Sequence, residues 1–128
     1  MRPEAQAWWN LAESDLESAR ANIASERFYV AAFLCQQSVE KALKALWMVR
    51  KRELAPKTHS LIELGGALSA LASHETALRR LNPQYVVTRY PDAANGPPPE
   101  NYNRELASVL LQDAEEVMAW CRSELAQT

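Results

Sequence analysis

Gln37, Lys41 and Lys44 stand at i, i+4 and i+7, a spacing that lays one amide and two ammonium groups along a single helical stripe. Ammonium groups in a row suit anion binding, and a phosphate-bearing ligand is the natural recipient. A solvated face opposite a core reads the same way, with Glu40 placed to pair with Lys44 in the favoured orientation. Arg50, Lys51 and Arg52 follow where a helix C-terminus favours cations. Residues 41–57 hold six basic side chains, these five and Lys57, against Glu53 alone, so the window carries +5 and the rest of the chain −7. The net charge of −2 hides that asymmetry.

His59 falls at the start of a third helical segment, where it could act as a general base or read a ligand by hydrogen bonding; a capping or surface role is the plainer alternative. His74 reads as a surface residue. Arg89-Tyr90-Pro91-Asp92 is the least generic string. Pro91 disfavours helix at Tyr90, so a helix ends there and Arg89 projects from its last turn. Arg89 and Asp92 can close a structural ion pair across that corner, or the guanidinium can face a phosphate. Trp8 and Trp9 are adjacent, about 100° apart on a helix, so one core contact does not bury both. With Trp47 and Trp120 they fit the edges of a wide buried face or a homodimer interface.

Two histidines without clustered Cys or Asp make a metal site unexpected. Cys35 and Cys121 lie far apart in apolar patterns, neither a disulfide framework nor a CxxC site, which points to a reducing, cytoplasmic compartment. Glycine-rich phosphate loops and nucleophile elbows are missing, so no cofactor is expected. The longest apolar run, residues 28–35, is too short to span a bilayer, and the N-terminus has no signal-peptide core.

The elements that must position these residues are helices. Ala and Leu supply 37 of 128 residues and Val, Ile and Thr only 13, which disfavours strands. The seven prolines mark where helices stop. Ala5, Trp9, Ala12, Leu16, Ala19 and Ile23 form one face of a helix from Pro3 to about Ala24. Ser25 is the expected N-cap of a second helix, about 26–51, whose apolar first half suits a helix packed on several sides; Ala55-Pro56 ends that segment. Thr58 or Ser60 caps a third, with the ridge Leu61, Leu64, Leu68 and Leu71; Gly65 and Gly66 imply a close helix crossing. A fourth starts near Ser73 and is broken at Asn82-Pro83. The last, about 101–125, points Leu106, Leu110, Ala114, Val117, Cys121 and Leu125 inward. The fold class is all-α, an up-and-down bundle of about five helices, three long and two short, with residues 1–128 as one domain.

In order, the strings A-E-S-D-L-E-S-A (12–19), F-L-C-Q-Q-S-V-E-K-A-L-K-A (33–45), T-H-S-L (58–61) and R-Y-P-D (89–92) resemble the HEPN (higher eukaryotes and prokaryotes nucleotide-binding) domain over nearly the whole chain. The resemblance implies a homodimer of a small prokaryotic protein that works beside a minimal nucleotidyltransferase in a two-component, toxin–antitoxin-like pair. It makes Lys41, Lys44, His59, Arg89 and Asp92 the nucleotide- or RNA-phosphate-binding set, with Asp15, Gln37 and Tyr90 as supporting polar groups. HEPN ribonucleases carry Arg, four to six residues, then His near the start of the last long helix. Here no histidine follows Arg89 or Arg104, and the formal match, Arg52 with His59, straddles a loop. A binding module is therefore the leading expectation. A metal-independent endoribonuclease toxin using His59 with Arg52 or Arg89 is the alternative, and a purely structural docking module the third reading.

Overall fold

The computed structural model describes residues 1–90 and 97–128. Pro91 and Asp92 lie outside the described residues. Pro3 opens helix α1 (Pro3–Ala24) at a position where its missing N–H costs nothing, and Ala5, Trp9, Ala12, Leu16 and Ala19 form its buried stripe. Ser25 ends this helix instead of capping the next. Its hydroxyl donates to the carbonyls of Ala21 and Asn22, and Glu26 turns the chain at a left-handed φ of 63°. Helix α2 (Phe28–Lys51) therefore begins two residues later than expected, after Arg27. It also stops before Pro56: Arg52 takes a left-handed conformation and its N–H closes on the Met48 carbonyl.

The short link makes α1 and α2 an antiparallel hairpin, and α2 is the central element. Ala31, Ala32, Cys35, Val39, Ala42, Leu43, Ala45, Leu46 and Met48 are all buried, because α1, α3, α4, α5 and α6 each lie against it. Helix α3 (Leu61–Ala67) is capped by Ser60, whose hydroxyl accepts the Glu63 N–H. Leu61, Leu64 and Leu68 are buried, whereas Leu71 belongs to the following helix, α4 (Ala70–Leu81). Within α4 His74 departs from helical geometry (φ −129°, ψ 32°). It is not a free surface residue: its Nδ1 lies 2.6 Å from Glu116 of the last helix, a partner 42 positions away that no local pattern announces. The break at Asn82-Pro83 is present, and α5 (Gln84–Val87) follows it. Counting α4 and α5 as one broken helix gives the expected five among the described residues.

A 3-10 turn at Pro98–Asn101 leads into α6 (Arg104–Ala126), capped by the Asn103 side chain on the Leu106 N–H. The inward stripe of α6 starts at Ala107, not Leu106. Leu106 is 39% exposed in the first turn, and the buried row runs Ala107, Leu110, Ala114, Val117 and Cys121. Ion pairs fix its direction. Arg20–Glu115 and Arg122–Glu13 set it antiparallel to α1, and Arg80 grips Asp113 with two bonds of 2.8 Å from α4. All four tryptophans pack on or against the core, Trp9 the most buried. No helix among the described residues is long and apolar enough to cross a membrane.

The close crossing expected at the glycine pair occurs at one of them. A Cβ on Gly65 would stand 2.8 Å from Leu78 Cδ1 of α4, whereas one on Gly66 meets only Leu71 at 4.0 Å. Leu78 is fully buried and has no room to retreat. In urea unfolding, Gly66→Ala should raise stability by up to ~1 kcal/mol through helix propensity. Gly65→Ala should come out at least ~1 kcal/mol less stable than Gly66→Ala through overpacking; equal stabilities would contradict the crossing.

Candidate functional site

Apolar burial of α2 places its few polar side chains with unusual consequence. Gln36, Glu40 and Lys44 are spaced by four, and all three are buried, Glu40 at 3% and Lys44 at 5% exposure. Of the stripe read from the sequence, Lys44 is therefore buried, while Gln37 and Lys41 are half-buried at its edge. Lys44 Nζ donates to Glu40 Oε2 at 3.1 Å, the expected pairing. Gln36 Nε2 and Gln37 Nε2 donate to Glu40 Oε1 at 3.2 and 3.4 Å. One turn along, Lys41 is paired with Asp15 of α1, the inward polar residue anticipated there.

His59 comes to this carboxylate from the loop between α2 and α3. It lies one residue before the Ser60 cap, outside the helix, with Nδ1 3.1 Å from Glu40 Oε1 and 3.3 Å from Oε2. The loop that delivers it is tied at successive residues. Gln36 Nε2 donates to the His59 carbonyl, the Ser60 N–H donates to Thr58 Oγ1, and the Leu61 N–H donates to Asn82 Oδ1. Tyr85 of α5 stacks on the imidazole, ring centroids 3.8 Å apart and planes 14° from parallel. Tyr85 is held in turn because Gln84 accepts the hydroxyl of Tyr102, a phenol that burial pushes up to about 12.

Gln37, Glu40, Lys41, Lys44 and His59 line one cleft of about 460 Å³, together with Trp8, Met48, Leu54, Ala55, Pro56 and Lys57. The site thus gathers the anticipated Gln37, Lys41, Lys44 and His59. Trp8 forms an aromatic wall with Lys44 Nζ 5.3 Å from its ring centroid. Three lysines line the cleft against Glu40, and Asp15 from α1 pairs with Lys41, so the lysines outnumber these carboxylates by one.

Arg89 and Tyr90 stand beside the cleft, not in it. Helix α5 ends at Val87, two residues earlier than the Pro91 argument places it, and both N–H groups of Arg89 and Tyr90 turn back to the Val86 carbonyl. The exposed Arg89 guanidinium lies 4.7 Å from the Tyr85 centroid and within 6 Å of Tyr90 and Phe33. Tyr85 is therefore shared by Arg89 and His59. The expected partner Asp92 lies outside the described residues, and among those described no carboxylate pairs with Arg89. Arg52 lines a separate depression with Met1, Arg2, Met48 and Val49, so the formal Arg52–His59 match is not assembled within one chain.

Cys35 and Cys121 are fully buried, with thiols pushed up to about 12 by desolvation, which removes them as nucleophiles. No three His, Cys, Asp or Glu side chains among the described residues gather to hold a metal ion. The sequence pattern names Glu40, Lys57 and Trp8 without assigning them to a site, and passes over Tyr85, which reaches the cleft through its stacking on His59. The Gln36–Glu40–Lys44 spacing inside an apolar helix was a usable signal for Glu40; Tyr85 had none.

With this geometry in place, the comparisons with known proteins are specific. The family model for the HEPN domain matches residues 5–124. The chain is 28% identical to TT1696 from Thermus thermophilus, with a TM-score of 0.85 over 96% of this chain and 99% of that one. It is 30% identical to ST0689, described as an archaeal HEPN homologue, with a TM-score of 0.81 over 96% and 98%. No curated protein sequence matches significantly.

Removing one partner of the buried Glu40–Lys44 pair leaves an uncompensated charge. Lys44→Met should cost about 3 kcal/mol, the low end for such pairs because Gln36, Gln37 and His59 still serve the carboxylate. Lys44→Met/Glu40→Gln should recover a good part of it. A single-variant loss below ~1 kcal/mol in urea melts would mean that the pair is not buried in solution.

Proposed function

The chain belongs to the HEPN domain family, and we propose that it is a binding module whose cleft takes the phosphate of a nucleotide or RNA. The observation that carries this reading is the cleft itself: lysines, an aromatic wall and a positioned imidazole around one volume of nucleotide size. The roles follow from what each side chain already holds. Lys57 has no carboxylate partner among the described residues and meets the phosphate first. Lys41 shares its charge with Asp15, and Lys44 is committed to Glu40, so both contribute field more than direct contact. Trp8 offers a face for a base. Arg89 extends the positive potential past Tyr85, with Tyr90 beside it; Asp92, named with them from the sequence, lies outside the described residues.

In this reading the protein is a homodimer and acts with a minimal nucleotidyltransferase in a two-component, toxin–antitoxin-like system, as family membership supports. Calorimetric titration with ATP and with a short RNA should give binding that weakens steeply with salt. Lys57→Ala should reduce affinity about tenfold, ~1.4 kcal/mol, and Arg89→Ala by a smaller factor. Absence of heat with either ligand, alone or with a co-expressed nucleotidyltransferase, would sink the reading.

The endoribonuclease alternative has one observation in its favour. Glu40 holds His59 by Nδ1 in the manner of a carboxylate–imidazole base, and Arg89 reaches the same Tyr85 ring. Growth arrest on expression that His59→Ala abolishes would favour it; intact cellular RNA after induction would remove it.

A further inference from the structure

The hydrogen bonds around Glu40 say more about His59 than its position does. A carboxylate ion-paired with Lys44 is ionised and has only lone pairs to offer. Every group that meets it must donate: Lys44 Nζ, Gln36 Nε2, Gln37 Nε2 and therefore His59 Nδ1. In the neutral imidazole the Nδ1 proton leaves Nε2 with a bare lone pair. The ring has no freedom to exchange the two nitrogens. Glu40 holds one edge, Tyr85 covers a face at 3.8 Å, and Gln36 fixes the residue's own carbonyl. His59 nevertheless lines the cleft, with half of its side chain exposed (51%).

We infer that Glu40 is a positioning residue which locks His59 in the Nδ1–H tautomer, so that His59 Nε2 accepts a hydrogen bond from a ribose hydroxyl and the cleft prefers intact ribonucleotides to analogues that lack that hydroxyl. This rests on the nucleotide reading above and corrects one part of the expectation from sequence. A neutral ring presenting only an acceptor does not orient a phosphate oxygen, which is itself an acceptor. The phosphate belongs to the lysine side of the cleft and the imidazole to a donor. The sugar is the part of a nucleotide that joins phosphate to base, and it carries hydroxyl donors. With phosphate toward Lys57 and base toward Trp8, the sugar is the part left to meet His59, which lines the same cleft.

The tautomer and the preference are measured separately. In a His74→Gln background, which leaves His59 as the only histidine, ¹⁵N NMR of the neutral ring at alkaline pH should show Nδ1 protonated and Nε2 bare, the reverse of what an unconstrained histidine favours. Glu40→Gln, whose amide can donate to Nδ1, should shift that population toward Nε2–H. Calorimetry should then find ATP bound about fivefold to tenfold more tightly than 2′-deoxy-ATP or 3′-deoxy-ATP, the size of one hydrogen bond. His59→Asn should shrink the preference to within twofold while leaving the weaker deoxynucleotide affinity in place. An Nε2–H ring in the native protein, or equal binding of ATP and both deoxy analogues, overturns the inference. Failure of all three nucleotides to bind overturns the nucleotide reading and the ribose preference with it, while the NMR result still decides the role of Glu40.

Discussion

A carboxylate that folding takes out of water must be answered by donors, and Glu40 imposes that demand in the middle of the most buried helix. Burial of an ionised group costs several kcal/mol even after relaxation, and one ammonium at 3.1 Å does not offset it unless the remaining lone pairs are served. Gln36 and Gln37 serve them from the same helix, and His59 completes the set from outside it. The local pattern of α2 therefore dictates where the loop after it must go. A bundle can join two helices in many ways, but a chain that leaves α2 at Arg52 and must return an imidazole to Glu40 has few. The cleft is the space that this return path encloses: Leu54, Ala55, Pro56 and Lys57 form its outer wall because they are the chain in transit.

The rest of the fold holds the return in place. Asn82, at the end of α4, accepts the first N–H of α3, so the broken fourth helix is also the latch for the His59 loop. The break itself lets α5 depart and lay Tyr85 on the imidazole, and Tyr102, just before α6, fixes α5 through Gln84. Proline at 83 thus has a second consequence beyond ending a helix.

Helices were legible because their signals are local. Pro3 with a 3,4-spaced apolar stripe defines α1 to the residue, and the Ala- and Leu-rich α2 announces a central position. The sequence misleads where a residue's role depends on what comes from elsewhere. Ser25 looks like a cap from its type alone, but a left-handed Glu26 after it makes it the close of α1. Leu106 fits the stripe of α6 as well as Ala107 does, and only the position of the Asn103 cap decides which turns outward. His74 needed Glu116, 42 residues on. In the cleft, Gln37, Lys41, Lys44 and His59 were readable as a set, whereas Tyr85 and Trp8 join it only through tertiary packing.

Charge counting fails for the same reason. The six basic residues between 41 and 57 suggest a strongly cationic surface, yet three of them are paired within the chain: Lys41 with Asp15, Lys44 with Glu40 and Arg50 with Glu124. Lys51 lies along Trp47, and Arg52 sits on a different depression. What remains toward the cleft is Lys57 and the residual field of two paired lysines. In the proposed reading so small an excess does not hold a phosphate by charge alone, since one exposed ammonium is screened within a Debye length. The selectivity of the cleft must come from groups fixed in place beforehand, and the most tightly fixed of those is the imidazole that Glu40 required for its own burial. The same interaction that makes the fold tolerate a buried carboxylate thus sets which hydrogen-bonding face the cleft presents.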